Sequence, residues 1–425
     1  MNIKISPSQL NGTVAAISSK SDAHRILIAA ALSDKKTVID CNTLSDDINA
    51  TADCLKALGA GVEIHKGKFE VTPIANPPKS AELDCKESGS TLRFLMPVAA
   101  ALGMNATFSG SGRLPSRPIM PLRRELESGG VEFTPPWQFP ILISGKLQSG
   151  NYSLKGNVSS QFVTGMLFAL PLLDGDSTLR LIPPVESRSY IDMTLDTLKK
   201  FGIEIKEEDN TFYINGNQQY TSPEAVTVEG DWSNAAFFLT AGAIAGSVTV
   251  TGLDENSLQG DREILSVLER MGAKIERSEN SITVSRGGLT GIPVDAGNIP
   301  DLIPIISVAA AAADSGVTVI SNAERLRLKE SDRLAAISEC LNNIGNVNAE
   351  TDDGIVVWSG EKIAGGNVFS FYDHRIVMSM AIASTASSGD IIIRDAEAVN
   401  KSYPTFFDDF KALGGICDVI DTQGE

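Results

Sequence analysis

The residues of this chain best suited to chemistry are two carboxylates that lie among cations. Asp301 precedes the apolar stretch LIPIISVAAAAADSG, and Glu330 lies between Lys329 and Arg333. A positioned carboxylate can accept or donate a proton, and cations next to it can bind an anionic group. Each residue also has an ordinary structural use, since an aspartate is a good helix N-cap and a helical glutamate is often an exposed ion-pair partner. Asp301 and Glu330 are therefore candidates for acid–base catalysis.

Short polar clusters open six apolar, alanine-rich segments that recur at intervals of about 70 residues. A helix that is hydrophobic on nearly every side must be buried. Its first turn exposes unpaired N–H groups and a partial positive charge, which together favour anions. Six such starts predict a site for an anionic ligand. The clusters occupy residues 19–22, 87–90, 159–161 and 230–233, Asp301, and residues 372–375.

Each unit continues with a β-branched run, a polar loop and an amphipathic second helix that closes at a glycine. The sequence therefore predicts helix, strand, helix and strand with a further strand, repeated six times. The alternative is an α/β repeat protein whose polar clusters are only N-caps, but ordinary caps do not require Lys, Arg and Gln as well. The predicted second helices cover residues 48–60, 119–130, 191–202, 262–273, 333–345 and 404–415.

Length and composition predict a globular protein of two domains. A chain of 425 residues exceeds what one hydrophobic core usually supports. Residues 1–14 lack the apolar region of a signal peptide, and polar residues interrupt every apolar run before it could span a membrane. Five cysteines without a CxxC pair indicate reduced thiols and a cytoplasmic location. Three histidines without an HExxH pattern argue against a protein metal site.

The net charge of −17 argues against nucleic acid and anionic membranes as partners. It does not exclude a small anionic ligand, because distant surface charges are screened over about 8 Å while a cleft focuses its own field. Cations at the motif positions would supply the attraction that helix dipoles alone cannot. These cations are Lys20, Arg25, Arg93, Arg117, Arg188, Lys329, Arg333, Arg375 and Lys401.

Nine short strings along the chain carry a family resemblance. They are SKSDAHRILIAAAL (19–32), SGSTLRF (88–94), LPSRPI (114–119), SSQF (159–162), GDWSNAAFFL (230–239), DLIPI (301–305), LKESDRL (328–334), DHR (373–375) and KSYP (401–404). In this order they resemble the EPSP synthase family over essentially the whole length of the chain. The resemblance implies an α/β fold of two similar inside-out α/β barrel domains, each with three repeated βαβαββ-type units and buried parallel helices. One domain would be discontinuous, with residues 1–18 and 229–425, and residues 19–228 would form the inserted domain.

The resemblance also implies the reaction. In this family the 5-hydroxyl of shikimate 3-phosphate attacks C2 of phosphoenolpyruvate while C3 is protonated, and the tetrahedral intermediate then loses phosphate. No metal or organic cofactor is expected. The partners would be the two small-molecule substrates alone, with no nucleic acid or membrane, and the protein is expected to be a monomer. Substrate binding would close an interdomain cleft, and glyphosate would occupy the phosphoenolpyruvate subsite.

The resemblance assigns roles to individual residues. Asp301 would accept the proton of the 5-hydroxyl, and Glu330 would exchange a proton with the phosphoenolpyruvate methylene, a role that Lys20 could share. The shikimate 3-phosphate subsite would comprise Lys20, Ser21, Arg25, Ser159, Ser160, Gln161, Ser187, Tyr190, Asp301 and Lys329. The phosphoenolpyruvate subsite would comprise Lys20, Gly89, Arg117, Gln161, Arg333, Arg375 and Lys401.

Three residues depart from the commoner family pattern. Glu87 stands where an Asn is often found, Phe94 where many members have Pro, and Arg325 where some members have an Asn near the shikimate phosphate. The nearest alternative function is that of UDP-N-acetylglucosamine enolpyruvyl transferases, which usually carry a reactive Cys or Asp on a loop that corresponds to residues 110–118. This stretch reads GSGRLPSRP and has neither. A non-catalytic, anion-binding repeat protein is a third interpretation, against which the two carboxylates count.

Overall fold

The computed structural model describes residues 1–134, 139–360 and 362–420. The chain divides into two compact units. The first, which we call the discontinuous unit, consists of Met1–Ser19 and Glu229–Glu425. The second, the inserted unit, is Lys20–Val228. None of the helices in the described ranges combines the length and apolar character that a membrane span requires.

The discontinuous unit takes its first two strands from the N-terminus, β1 (Asn2–Ser6) and β2 (Asn11–Ala15). The inserted unit follows. Its helices are α1 (Lys20–Leu32), α2 (Asp46–Ala57), α3 (Gly89–Ala101), α4 (Met120–Ser128), α5 (Ser160–Ala169) and α6 (Arg188–Lys200). Its strands are β3 (Thr37–Asp40), β4 (Gly61–His65), β5 (Lys68–Thr72), β6 (Ser80–Asp84), β7 (Asn105–Ser109), β8 (Glu132–Thr134), β9 (Ile141–Ser144), β10 (Asn151–Lys155), β11 (Ser177–Ile182), β12 (Ile205–Glu208), β13 (Thr211–Ile214) and β14 (Ala225–Thr227).

The chain then returns to the discontinuous unit. The helices of this part are α7 (Trp232–Ala245), α8 (Ile264–Met271), α9 (Ile303–Ala311), α10 (Arg333–Asn343), α11 (His374–Ala383) and α12 (Phe406–Ala412). Its strands are β15 (Ser247–Thr251), β16 (Lys274–Ser278), β17 (Ser281–Ser285), β18 (Pro293–Asp295), β19 (Val317–Ser321), β20 (Asn348–Glu350), β21 (Ile355–Trp358), β22 (Gly366–Phe369), β23 (Ile391–Arg394) and β24 (Ile416–Ile420). Short 3-10 helices cover Leu114–Ser116, Leu170–Leu172, Gly260–Glu263, Pro300–Leu302, Glu324–Leu328, Ser384–Ala386 and Ala396–Lys401.

The described strands form six four-stranded sheets, three in each unit. In the inserted unit the strand orders are β14-β3-β5-β4, β6-β7-β9-β8 and β10-β11-β13-β12. In the discontinuous unit they are β16-β17-β15-β2, β18-β19-β21-β20 and β22-β23-β1-β24. Each sheet has one parallel pair of strands. In some of these pairs a helix connects the two strands. In the others, one of the two strands comes from a distant part of the chain. The discontinuous unit needs the N-terminus because β1 and β2 complete two of its sheets.

The repeat predicted from the sequence is confirmed. The elements β6, α3, β7, α4, β8 and β9 follow the order βαβαββ, and the strands and helices after β10 and β18 follow the same order. The alanine-rich helices lie inside the sheets because they have no polar face to expose. All residues of α7 are buried, and α7, α9 and α11 contact one another. Each unit is thus an inside-out α/β barrel, with helices in the centre and sheets around them.

The central helices of the inserted unit approach one another closely. Helix α3 packs against α5, where a Cβ at Gly165 would overlap the backbone oxygen of Arg93. Helix α1 contacts α3 through the edge-to-face ring pair of His24 and Phe94. The guanidinium of Arg25 lies 5.3 Å from the centre of the Phe94 ring. The Phe at this position, one of the departures from the family pattern, therefore has a packing role.

Most observed helix starts differ by a few residues from the sequence prediction, and two of these helices directly follow a 3-10 helix. Asp301, which the sequence places at the opening of the fifth buried helix, lies in the 3-10 helix Pro300–Leu302, and α9 begins at Ile303. The second helix predicted from residue 262 begins at Ile264, because residues Gly260–Glu263 form a 3-10 turn. In both places a tighter turn, which contains an aspartate, precedes the α-helix.

Candidate active site

One buried arginine, Arg333, binds three carboxylates of the discontinuous unit. Arg333 begins α10, and only 1% of its side chain is exposed. Its Nη1 donates to Asp301 Oδ1 at 2.6 Å, and its Nη2 donates to Glu330 Oε2 at 2.8 Å. Its Nε donates to Asp373 Oδ2 at 2.8 Å. One guanidinium thus fixes three carboxylates, which is possible because it presents five donors in one plane.

Two further cations face the Asp301 carboxylate. Arg375 lies near the start of α11, where its Nη2 is 3.5 Å from Asp301 Oδ2 and its Nη1 donates to the backbone oxygen of Asp301 at 3.1 Å. Lys329 Nζ is 3.4 Å from Asp301 Oδ1. Asp301 remains 16% exposed and Lys329 26% exposed, so both can be reached by a ligand. The structure therefore brings together Asp301, Lys329, Glu330, Arg333 and Arg375, all of which the sequence had singled out.

The electrostatics of this cluster keep Asp301 ionised. Burial alone would raise the pKa of Asp301, but the charges of Arg375, Lys329 and Arg333 outweigh it and hold the pKa well below its usual value. Burial lowers the pKa of Lys329, and the nearby Asp301 opposes this effect. The pKa of Arg333 is raised, because the attraction of Asp373, Glu330 and Asp301 exceeds the cost of burial. An ionised carboxylate beside three cations can receive a proton and can also share its cations with an anionic substrate.

Lys401, Arg325 and His374 are further cationic or titratable residues of this unit. Lys401 ends the 3-10 helix Ala396–Lys401 and is buried, with 5% exposed. Arg325, the third departure from the family pattern, donates from Nη2 to the backbone oxygen of Gly297 at 2.6 Å. The ring of His374 is buried next to Asp373, at 3.6 Å between Nδ1 and Oδ1.

In the inserted unit, the candidates at the start of α1 have protein partners. Lys20 Nζ lies 2.9 Å from Asp47 Oδ2 and is 15% exposed. Arg25 is 2% exposed, and its guanidinium donates to the backbone oxygen of Tyr190 at 2.8 Å and to the backbone oxygen of Ser21 at 2.5 Å. Burial lowers the pKa of Arg25 to about 10, which leaves it charged at neutral pH. The structure thus places Ser21, Arg25 and Tyr190 next to one another.

Gln161 links two central helices of this unit. Its Nε2 donates to Ser90 Oγ at 2.9 Å, and its Oε1 accepts from Arg93 Nη1 at 2.5 Å. Ser159 is the N-cap of α5, where its Oγ accepts from the backbone N–H of Gln161 at 3.3 Å. Ser159 therefore caps the start of α5. Ser160 follows as the first residue of α5 and is 9% exposed.

Gly89 and Arg117 are direct neighbours. Gly89 is the first residue of α3, and a Cβ built on it would lie 2.9 Å from Arg117 Nη1. Arg117 has the extended backbone that its position before Pro118 predicts, with φ −75° and ψ 140°. It is buried, at 8% exposed, and so is not an ordinary surface arginine. The absence of a side chain at residue 89 leaves the space that this guanidinium fills.

Ser187 has a strained backbone. It directly precedes α6, is 3% exposed, and has a left-handed φ of 53°. For a residue other than glycine this conformation costs about 1–3 kcal/mol, and such strain is frequent at functional sites. The neighbouring Arg188 instead binds Asp192 and Glu207, at 2.8 Å and 2.6 Å, and is 36% exposed. The structure does not place Arg188 with the candidate site residues.

Several contributors were not singled out from the sequence. Asp47 pairs with Lys20 across 27 residues of chain, and Asp373 holds Arg333 across 40 residues. Asp373 lies at the opening of the sixth repeat, and this position was the signal that could have suggested it. Asp47 offered no such signal, because it is one acidic residue in the first turn of an amphipathic helix. Among residues 1–134, 139–360 and 362–420, no group of three or more His, Cys, Asp or Glu side chains is arranged to hold a metal ion.

Comparisons with known proteins agree over nearly the whole chain. The family model for EPSP synthase (3-phosphoshikimate 1-carboxyvinyltransferase) matches residues 5–410. The 3-phosphoshikimate 1-carboxyvinyltransferase of Clostridium kluyveri is 44% identical over 419 residues, which cover 98% of each chain. The protein of the same name from Brachyspira hyodysenteriae is 42% identical over 419 residues, which cover 97% of this chain and 99% of that one.

Solved structures share the fold. An EPSP synthase from Acinetobacter baumannii has a TM-score of 0.83 at 25% identity and covers 99% of this chain and 100% of its own. The enolpyruvyl transferase NikO from Streptomyces tendae has a TM-score of 0.80 at 17% identity, with 98% of each chain covered. The latter likeness is one of fold alone.

The fold is thus one that solved enolpyruvyl transferases share. Within this class, the chain belongs to the EPSP synthase family. It is an enzyme whose reaction is transfer of the enolpyruvyl group of phosphoenolpyruvate to shikimate 3-phosphate, in the shikimate pathway to chorismate and the aromatic amino acids. The comparisons do not favour the UDP-N-acetylglucosamine alternative.

Proposed function

We propose that Asp301 is the base that accepts the proton of the 5-hydroxyl of shikimate 3-phosphate during attack on phosphoenolpyruvate. The observation that carries this proposal is the cluster around Arg333. Arg333, Arg375 and Lys329 keep Asp301 ionised while 16% of its side chain stays exposed. A base must be deprotonated and within reach of its substrate, and Asp301 meets both conditions. The catalytic set is Asp301, Glu330 and Lys20.

Glu330 is assigned to the other proton transfer, in which C3 of phosphoenolpyruvate is protonated on addition and deprotonated on elimination. Its carboxylate is 14% exposed and is fixed by Arg333 Nη2 at 2.8 Å. Lys20 is the alternative donor, because its ammonium is held by Asp47 and remains 15% exposed. Addition and elimination need a group that can both give and take the proton, which a carboxyl group does more readily than an ammonium.

The two substrates together carry two phosphates and two carboxylates, so their binding needs several cations. Shikimate 3-phosphate would bind Ser21, Arg25 and Tyr190 together with the starts of α5 and α6, that is Ser159, Ser160, Gln161 and Ser187. Lys20, Asp301 and Lys329 would face the same substrate. Hydroxyls and N–H groups at a helix start suit a phosphate. Phosphoenolpyruvate would bind Lys20, Gly89, Arg117, Gln161, Arg333, Arg375 and Lys401.

No metal or organic cofactor enters this chemistry. We also propose that the protein acts as a monomer in the cytoplasm, without nucleic acid or membrane partners. The net charge of −17 supports the absence of nucleic acid and anionic membrane partners. The five cysteines, each of which is a free thiol, support a cytoplasmic location. Size-exclusion chromatography with light scattering, which would read 45.1 kDa for one chain, tests the oligomeric state.

We expect Gly89→Ala to weaken glyphosate more than phosphoenolpyruvate. The added methyl group would lie 2.9 Å from Arg117 Nη1, so the guanidinium must move. The displaced Arg117 would then bind the longer inhibitor less well, while the compact substrate would tolerate the displacement of Arg117 better. A clash of this size costs about 1–3 kcal/mol, which is roughly tenfold or more in inhibitor affinity. Inhibition curves and KM values for phosphoenolpyruvate measure both effects.

Gly150→Ala is the matched control for this variant. It adds the same methyl group in the same unit, where no atom lies within 4 Å. Its inhibition curve should coincide with that of the unmodified protein. If Gly89→Ala behaved like this control, Gly89 would not line the phosphoenolpyruvate subsite.

A phosphate-release assay with two acceptors tests the proposed function. The purified protein is incubated with phosphoenolpyruvate and either shikimate 3-phosphate or UDP-N-acetylglucosamine. Release of phosphate with the first acceptor alone is expected. Release with the sugar nucleotide alone would identify the sister activity, and release with neither acceptor would favour a non-catalytic anion-binding protein.

A further inference from the structure

A chain of buried hydrogen bonds joins three helices of the inserted unit, and the chemistry described above does not use it. His24 of α1 contacts Thr51 of α2 at 2.7 Å between Nδ1 and Oγ1. Thr51 Oγ1 lies 2.6 Å from Thr91 Oγ1 of α3, which donates to Ser88 Oγ at 2.7 Å. All four side chains are at most 1% exposed. Such a chain holds its members in one arrangement, because breaking any link leaves a buried polar atom unpaired.

The protons of this buried chain have one consistent order. Each hydroxyl has a single hydrogen to donate. Since Thr91 donates to Ser88, it must accept from Thr51. Thr51 must then accept from Nδ1 of His24. Burial lowers the pKa of His24 to about 3, against a smaller opposing effect of Asp47, so the ring is neutral and carries its one proton on Nδ1.

His24 and Thr51 belong to the same helix turns as an ion pair of the candidate site. On α1, His24 lies one turn after Lys20. On α2, Thr51 lies one turn after Asp47. The hydrogen bond between His24 and Thr51 is therefore a second link beside the 2.9 Å ion pair that joins these two helices one turn earlier.

The other end of the buried chain is the start of α3. Ser88 is the N-cap of this helix, and its Oγ also accepts from the backbone N–H of Thr91 at 3.2 Å. The next two residues are Gly89 and Ser90, and Ser90 Oγ accepts from Gln161 Nε2 at 2.9 Å. The hydrogen bonds of Ser88 thus determine where the first residues of α3 lie.

We propose that His24 is a positioning residue for phosphoenolpyruvate binding: through the buried chain it fixes the start of α3 relative to the start of α1, and thereby fixes Gly89 relative to Lys20. This inference rests on the proposed phosphoenolpyruvate subsite, to which both of these residues are assigned. A small, highly charged substrate makes short contacts, so its affinity depends on the spacing of the groups that bind it.

The test compares His24→Leu with His24→Asn in steady-state kinetics of the purified protein with both substrates. Leucine fills much of the same space but cannot donate a hydrogen bond. Asparagine is smaller, yet its amide nitrogen can take nearly the position of Nδ1 and donate to Thr51. His24→Leu should raise KM for phosphoenolpyruvate about tenfold, and His24→Asn should raise it less than about threefold.

The other kinetic parameters should change little in both variants. The kcat value and KM for shikimate 3-phosphate should stay within about threefold of those of the unmodified protein. Arg25, which follows His24 on α1, is held separately by Thr194 Oγ1 at 2.9 Å and by the backbone oxygen of Tyr190 at 2.8 Å. A loosened fold would instead raise both KM values together.

Melting temperatures separate positioning from packing. His24→Asn loses the edge-to-face contact with the Phe94 ring, whose centroid is 6.3 Å away, and should melt below the unmodified protein. His24→Leu keeps apolar bulk next to this ring and removes the buried Nε2, so it should melt above His24→Asn. The more stable variant should therefore bind phosphoenolpyruvate less well. If KM for phosphoenolpyruvate instead rose with the loss of stability, His24 would be a packing residue and the inference would be wrong.

Thr91 provides a second pair of variants, which carries the test if His24→Leu does not fold. Thr91→Val keeps the shape of the side chain and removes the hydroxyl, whereas Thr91→Ser keeps the hydroxyl and removes a methyl group. Thr91→Val should raise KM for phosphoenolpyruvate, and Thr91→Ser should not. The double variant with His24→Leu should be little worse than either single variant, because both changes break the same chain. A normal KM in a folded Thr91→Val variant overturns the inference.

His65→Leu is the matched control, because it makes the same change in the same unit at a side chain that is 63% exposed. Its kinetics should equal those of the unmodified protein. Gly89→Ala is assayed with glyphosate in parallel, since it tests the subsite itself. If Gly89→Ala weakens inhibition while His24→Leu keeps a normal KM for phosphoenolpyruvate, the inference is overturned and the subsite stands. If Gly89→Ala leaves inhibition unchanged, the proposed subsite and the inference both fail.

Discussion

Replacement of Asp301 by Asn should lower kcat by about 10²–10⁴-fold, the usual loss when one positioned general base is removed. The amide has nearly the shape of the carboxylate but cannot take the hydroxyl proton. Substrate KM values should change far less, because Arg333, Arg375 and Lys329 remain in place. Steady-state kinetics of phosphate release measure both parameters.

Asp352→Asn is the matched control, since it makes the same change at an exposed position of the same unit. It should leave kcat unchanged. The melting temperature of Asp301→Asn must be recorded as well, because loss of a carboxylate that three cations stabilise also weakens the fold. A folded Asp301→Asn protein with near-normal kcat would exclude Asp301 as the base.

Glu330→Gln should likewise lose turnover, and normal turnover of this variant would exclude the role given to Glu330.

Replacement of Arg333 by Met should destabilise the protein by about 3–5 kcal/mol, as expected when one partner of a buried charge network is removed. The side chain is 1% exposed, and its loss leaves Asp301, Glu330 and Asp373 without their shared cation. The same change should abolish most activity, because Arg333 is placed in both the acid–base cluster and the phosphoenolpyruvate subsite. Urea unfolding of the purified variant measures the loss of stability.

The destabilisation should depend on pH in a defined direction. The pKa of Asp301 lies below its usual value in the folded protein, so its ion pairs stabilise the fold above the unfolded pKa and stop doing so as pH falls through the folded pKa. The difference between Arg333→Met and the unmodified protein should therefore be greatest near neutral pH and shrink in strong acid. A difference that is constant with pH would mean that packing, and not charge, accounts for the loss.

Arg327→Met is the control for Arg333→Met. Arg327 also binds two carboxylates, those of Asp332 and Glu350, but its side chain is 26% exposed. Solvent screens such pairs, so the expected cost is about 0–1 kcal/mol. Equal destabilisation by the two variants would contradict the central place given to Arg333.

The repeated architecture could be predicted from the sequence because its signals are local. Alanine-rich helices without a polar face, β-branched runs and closing glycines recur in every unit, and each has a physical reason to adopt its structure. The backbone of Arg117 was likewise predictable from the proline that follows it. Local signals also identified the cations and carboxylates that meet around Asp301.

The partners of these residues could not be predicted, because they come from distant parts of the chain. The Asp47 carboxylate that holds Lys20 and the Asp373 carboxylate that holds Arg333 become neighbours only in the folded protein. Asp301 is a second example: it lies in a 3-10 turn before α9, and a sequence pattern does not distinguish such a turn from the first turn of an α-helix. The roles given to the site residues remain predictions.

The fate of solvent hydrogen in the product distinguishes addition and elimination from a direct transfer of the enolpyruvyl group. If the protein transfers the enolpyruvyl group by addition and elimination, C3 of phosphoenolpyruvate becomes a methyl group and then returns to a methylene. Reaction of phosphoenolpyruvate with shikimate 3-phosphate in deuterium oxide should therefore yield phosphate and an enolpyruvyl ether that carries deuterium in its vinyl group, as mass spectrometry would detect. Formation of the ether without deuterium, under conditions in which the control in ordinary water turns over normally, would contradict the proposed proton transfers.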